Sequence, residues 1–138
     1  RGAYGTVFLM KCQTSGELKV LKEVNISDMD AKDREGCLRE AKILEILKHD
    51  FIVGFSDVFK TKAGKLCIVM EYCENGDLEK EISRRRKMLE DDEDEKAFFN
   101  DDDVLMWFAQ LCMAVKQVHH YQIIHRDIKT ANIFCDKD

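Results

Sequence analysis

Along the first 72 residues apolar and polar positions alternate in short runs broken by small polar residues. Residues 5–12 (GTVFLMKC) and 17–24 (ELKVLKEV) read as β-strands joined at QTSG, where Gly16 suits a turn. Residues 54–61 and 65–72 predict a second strand pair, joined at Lys62-Ala63-Gly64. Between the pairs, residues 31–48 carry helical spacing, with Asp28 or Asp30 as cap and Lys48-His49 at the end. Beyond residue 76 the period becomes helical. Residues 77–89 predict a solvated helix, followed by the acidic tract EDDEDE at 90–95. Residues 102–119 are apolar on most faces (Val104, Leu105, Trp107, Phe108, Leu111, Val115, Val118), which predicts a core helix with aspartates at its favourable N-terminal end. The change from strand to helix near Cys73–Asp77 implies two lobes joined by a short connector.

Charged residues interrupt these apolar faces at two places. Side chains of a strand alternate with period two, so Lys22 shares a face with Leu18, Val20 and Val24. A buried, unpaired ammonium is costly and calls for an anionic partner. An edge strand with Lys22 snorkelling to water reads the strand equally well. On the following helix Glu40 falls among Cys37, Ala41 and Leu44 at spacings of three and four. An inward lysine and an inward glutamate on consecutive elements invite pairing, which could also aim the ammonium at a phosphate. Ahead of the first strand, Gly2, Gly5 and Val7 in RGAYGTV would let backbone N–H groups approach an anion. By itself that spacing reads better as an ordinary turn.

The densest polar cluster is HRDIKTANIF at 125–134, set between Ile123-Ile124 and Ile133-Phe134. Asp127 could accept a proton from a hydroxyl, Lys129 could neutralise phosphate charge, and Asn132 offers a carbonyl oxygen suited to Mg²⁺. A capped turn with a surface ion pair explains H-R-D alone. H-R-D-x-K-x-x-N in full, flanked by short β-prone runs, is a far more specific signal.

Composition narrows the class further. A chain of 138 residues with 45% hydrophobic and 36% charged residues can form a globular core. The net charge of −5 gives no support to nucleic-acid binding. No apolar run approaches the ~18 residues of a membrane span, and no signal-peptide pattern opens the chain. Arg1 in place of an initiating methionine suggests a piece of a longer protein. The six cysteines form no C-x-x-C pair and read as reduced, buried thiols. Basic RRRK at 84–87 beside the acidic tract reads as a solvated helix face or loop.

In their order along the chain, the glycine-rich start, Lys22, Glu40 and HRDIKTAN resemble the protein kinase family. Lys129 within HRDIKTAN is the serine/threonine form. LKEVNIS, LREAKILEILKHDFIV, IVMEYCENGDL, WFAQLCMAVKQVH and IIHRDIKTANIF look most like the NIMA-related kinases. The resemblance implies an α+β fold: a β-rich N-lobe with one helix (1–72), a hinge (73–77), and the first helices and catalytic loop of a helical C-lobe (78–138).

It also implies roles. Gly2, Gly5 and Val7 would cover ATP, Lys22 would contact its α- and β-phosphates, and Glu40 would orient Lys22. Met70 would stand behind the adenine, with Glu71 and Cys73 offering backbone hydrogen bonds and Asp77 reaching the ribose. Val20 and Phe134 would sandwich the base. Asp127 would be the catalytic base, Lys129 the γ-phosphate contact and Asn132 a Mg²⁺ ligand. His125 and Leu44 match positions of the internal hydrophobic spine. The implied activity is that of a non-specific serine/threonine protein kinase acting on protein Ser/Thr hydroxyls, without nucleic-acid or membrane partners. The cytoplasm is the implied location, with nucleus or cytoskeleton as alternatives.

The sequence departs from the family pattern in several places. The first glycine of G-x-G-x-x-G would precede Arg1, Val20 stands where alanine is usual, and His49-Asp50-Phe51 replaces His-Pro-Asn. Residues 90–103 lengthen one connection. D-F-G, with its metal-binding aspartate, would follow Asp138, so the chain alone is expected to have negligible activity. A nucleotide-binding pseudokinase scaffold, or an interaction module using residues 84–103, are the competing readings.

Overall fold

The computed structural model describes residues 5–91 and 98–136, so Gly2 and most of the acidic tract lie outside the described residues. The chain divides into two compact units, Arg1–Tyr72 and Cys73–Asp138.

The first unit is a four-stranded antiparallel sheet with one helix. Its strands are β1 (Thr6–Lys11), β2 (Leu18–Asn25), β3 (Phe55–Lys60) and β4 (Lys65–Glu71), in the spatial order β1-β2-β4-β3. Helix α1 (Ala31–Ile46) connects β2 to β3. Of its two candidate caps, Asp30 is the one used: its carboxylate accepts the Asp33 N–H at 2.8 Å. The central strands bury best because they pair on both edges. Val24, Ile26, Leu66 and Ile68 pack with Ala41 of α1 into the core, flanked by Cys37, Leu44, Phe55, Val58 and Met70. Register places Lys22 opposite Ile68 and Val24 opposite Leu66, which puts Lys22 on the core-facing side of β2.

One glycine is required for close approach at the sheet edge. Gly5 has φ +157°, and a Cβ there would lie 2.7 Å from the Glu23 carbonyl oxygen. Any side chain would push the start of β1 away from β2.

The second unit holds α2 (Leu78–Asp91), α3 (Asp101–His120) and a 3-10 turn at Thr130–Asn132. Arg84 and Arg85 both bond Glu81, and with Arg84 contributing most they hold its carboxyl down at about 2. Arg85 also donates to the Phe98 carbonyl at 2.8 Å and lies 4.1 Å from the Phe99 ring centroid, while Phe99 meets Trp107 edge-on. The segment entering α3 is thereby tied to both helices.

Two expectations need correction here. Helix α3 buries only Ala114 and Val118, while Leu105 and Phe108 are 65% and 63% exposed. An apolar helix face is buried only where another element lies on it, and the described residues supply none over this one. Among the described residues no cysteine is joined in a disulfide, but only Cys67 is buried and Cys112 is exposed. Lying in an apolar run brought Cys37 against the sheet core and Cys67 into it, and left Cys112 on the surface.

Helix α3 ends in a Schellman motif. The Ile123 N–H donates to the Val118 carbonyl (3.2 Å) and the Gln122 N–H to the His119 carbonyl (2.9 Å), with Gln122 left-handed at φ 58°. A side chain in that conformation costs about 1 kcal/mol that glycine avoids. Gln122→Gly is therefore expected to stabilise the chain by up to about 1 kcal/mol, read as a higher denaturant midpoint at constant slope.

Candidate active site

In the first unit, Lys22 of β2 meets Glu40 of α1, Nζ to Oε1 at 2.7 Å. The pair forms as the facing elements suggested, but it is open to water: the side chains are 32% and 54% exposed. Glu40 was expected within an apolar stripe. It sits instead at the stripe's margin, because Ala41 and Cys37 take the positions facing the sheet. Exposure limits the pair's own stabilisation to roughly 0–1 kcal/mol. The pair fixes where the ammonium sits more than it holds the fold.

Gly5 and Val7 lie at and just inside the start of β1, with Val7 64% exposed. Val20 is half-buried on β2, directly opposite Met70 of β4. At the end of β4 the Glu71 N–H donates to the Gly54 carbonyl (2.8 Å), and the Glu71 carboxylate accepts the Gly54 N–H (3.0 Å). Glu71's amide is thus committed, and its carbonyl is the backbone group it would present to a ligand.

In the second unit, the polar loop is closed by its own side chains. Lys129 Nζ lies 2.9 Å from Asp127 Oδ1. Asn132 Nδ2 donates to Asp127 Oδ2 (2.9 Å) and to the Asp127 carbonyl (2.8 Å). The Asp127 N–H donates to His125 Nδ1 at 3.3 Å. Arg126, at φ 65°, turns the backbone so that these groups converge. Lys129 first, then Asn132, hold the Asp127 carboxyl below the usual carboxylate range. Three sequence-predicted residues therefore meet around one ionised carboxylate. The short spacing makes this possible because the 3-10 turn at Thr130–Asn132 folds Asn132 back onto Asp127.

With its nitrogen on Asp127, Asn132 keeps its amide oxygen as an acceptor of the kind a hard cation takes. Among the described residues no group of three or more His, Cys, Asp or Glu could hold a metal unaided. A cation here would need oxygens from elsewhere, such as a nucleotide's phosphates.

Asp77 and Phe134 form an isolated antiparallel bridge. The Leu78 N–H donates to the Ile133 carbonyl and the Cys135 N–H to the Gly76 carbonyl, both at 2.8 Å. Asp77 itself is 7% exposed. Its carboxylate caps α2 by accepting the Lys80 N–H (2.9 Å) and pairs with Lys80 Nζ (2.6 Å). The hydrogen bond from Lys80 is the main cause of its lowered pKa. Sequence reasoning gave Asp77 a ligand and overlooked the cap, although an aspartate just before a helical run is itself a capping signal. Cys73, next to the boundary between the units, is half-buried.

A protein-family model described as "Protein kinase domain" matches residues 1–138, the whole chain. The chain belongs to the protein kinase family. Three relatives it matches are named serine/threonine-protein kinases. It is 42% identical over 137 residues to "Serine/threonine-protein kinase Nek1" of Mus musculus, covering 99% of this chain and 11% of that protein. It is 39% identical over 138 residues to "Serine/threonine-protein kinase Nek5" of Homo sapiens, covering 100% of this chain and 18% of the relative. "Probable serine/threonine-protein kinase nek3" of Dictyostelium discoideum is 37% identical over 134 residues, covering 97% of the chain and 11% of the relative. The NIMA-related likeness of LKEVNIS and IIHRDIKTANIF is borne out by these relatives. This kinase-family chain spans less than a fifth of the length of each of the three.

Within the kinase family the four-stranded sheet with α1 is the N-lobe part, and α2, α3 and the HRDIKTAN loop begin the C-lobe. No described helix is long and apolar enough to cross a membrane.

Proposed function

We propose that the protein containing this chain transfers the γ-phosphoryl group of ATP to serine or threonine hydroxyls of protein substrates. The observation that carries this reading is the loop in which Asp127, Lys129 and Asn132 converge. Such chemistry asks little covalent work of the protein and much positioning and charge compensation. Asp127, ionised at neutral pH, would accept a hydrogen bond from the substrate hydroxyl and take its proton late. Lys129 would compensate γ-phosphate charge, and the Asn132 amide oxygen would help hold Mg²⁺ together with phosphate oxygens. When bound, Mg²⁺ would supply further neutralisation of phosphate charge.

In the other unit Lys22, aimed by Glu40, would meet the α- and β-phosphates. Gly2, Gly5 and Val7 would cover the nucleotide, and Val20 would offer the base an apolar face, as would Phe134 of the second unit. Met70, the Glu71 carbonyl and the Cys73 backbone would edge the adenine. Asp77 would reach the ribose only at the expense of its bond to Lys80. We place the protein in the cytoplasm and expect no nucleic-acid or membrane partner. Lys22, Asp127 and Asn132 are all present, which disfavours a pseudokinase scaffold.

The test is transfer of labelled phosphate from MgATP to a generic Ser/Thr protein substrate by the longer protein containing this chain. Mg²⁺-dependent labelling of serine or threonine is expected, and its absence would overturn the reading. The 138-residue chain alone is expected to show negligible transfer.

A further inference from the structure

The ion pair between Lys22 and Glu40 joins two elements that are otherwise held by non-directional apolar contact. Helix α1 buries only Ala41 fully, and apolar packing of that kind tolerates rotation. A helix carries its side-chain tips about 5–6 Å from the axis, so a turn of roughly 30° moves a tip by about 3 Å. That displacement would separate a pair now 2.7 Å apart. An ion pair this exposed is too weak to prevent it. Some directional contact must set the helix.

Arg34 supplies one. From the first turn of α1 its Nε donates to the Ile26 carbonyl at 3.1 Å, and its Nη2 donates to the carbonyls of Met29 (3.1 Å) and Ser27 (3.5 Å). These carbonyls belong to the connection leaving β2, the strand that carries Lys22. Ile26 is itself anchored: it is 2% exposed in the core, and its N–H donates to the Gly64 carbonyl at 3.2 Å. The guanidinium thus ties α1 to a fixed backbone point through a planar fork that no single-headed side chain reproduces.

We propose that Arg34 is a positioning residue, which fixes the rotation of α1 and thereby sets Glu40 against Lys22. The inference rests on the kinase reading only for its consequence in phosphoryl transfer. Two pairs in the same unit allow the geometry to be read directly. Lys22–Glu40 and Lys65–Glu23 are both 2.7 Å apart, but the second joins neighbouring strands and does not involve α1.

Treating the longer protein that contains this chain with a water-soluble carbodiimide converts close lysine–glutamate pairs into amides that peptide mass spectrometry can quantify. For Arg34→Ala, the Lys22–Glu40 yield relative to Lys65–Glu23 is expected to fall roughly tenfold, the scale of one charge-assisted hydrogen bond. Arg34→Lys, which keeps the charge and most of the stem, is expected to recover only part of it. An unchanged ratio would overturn the proposal, and so would equal losses in both pairs, which mean general loosening. In the longer protein, Arg34→Ala should lower kcat in the wild-type background and have no further effect in a Glu40→Gln background. Fully additive losses there would count against a role through Glu40. If the wild type transfers no phosphate, the kinase reading fails while the cross-linking result stands.

Discussion

On the proposed kinase reading, Asp127→Asn is expected to lower the phosphoryl-transfer rate of the longer protein by roughly 10²–10⁴-fold, the usual contribution of a positioned acid–base group. Asparagine keeps the size of the side chain and an oxygen able to accept the Asn132 amide. It removes the negative charge that now attracts Lys129 at 2.9 Å and would accept the substrate proton. KM for ATP should change little, because the loss falls on the hydroxyl side of the reaction. The same geometry sets the acid limit. Lys129 and Asn132 lower the folded-state pKa of Asp127 from its ordinary 3.8, so the ionised form is favoured in the fold. Its contribution is complete above 3.8 and is lost only as pH falls through the lower folded value. No acid limb from Asp127 is therefore expected between neutrality and pH 3.8. A kcat profile with an Asp127-dependent limb near pH 6, absent in Asp127→Asn, would contradict a carboxyl held low by Lys129 and Asn132.

Lys22→Ala is expected to cost roughly 10²–10³-fold in kcat/KM, as loss of a preorganised group facing the charge of the transition state does elsewhere. Its effect on stability should be small, about 1 kcal/mol or less, because the pair it breaks is exposed and Glu40 can be solvated. The contrast between the two numbers is the test. Steady-state kinetics and denaturant unfolding on the same variant would separate a phosphate-directed lysine from one that merely supports α1. A large stability loss with near-normal transfer would reverse the assignment.

Much of the fold could be read from periodicity. The alternation in β2 and β4 and the spacing of Cys37, Ala41 and Leu44 depend on local geometry, which a single sequence displays. The polar loop at 125–134 was legible for a similar reason: Asp127, Lys129 and Asn132 are close in sequence and meet within one turn. What escaped were choices between partners. Asp77 was read as a ligand group, yet its nearest opportunity is the start of its own helix, where Lys80 completes the pair. The clip between Glu71 and Gly54 joins residues 17 apart, and nothing in either residue announces the other. The apolar residues of α3 declare a face that suits burial, but burial depends on a covering surface that residue type does not specify. Arg34 gave no signal in the sequence, because backbone carbonyls, its partners, carry no signature there.

The bridge between Asp77 and Phe134 has a bearing on how this chain could diversify. The strand-like stretch around Phe134 is held by backbone groups of Gly76, Leu78, Ile133 and Cys135, not by the Phe134 ring, which is 49% exposed. Backbone bonds of this kind are indifferent to the side chain they carry. Residue 134 is in that sense a socket: its contents can be exchanged for a larger or smaller apolar group while the fitting stays in place.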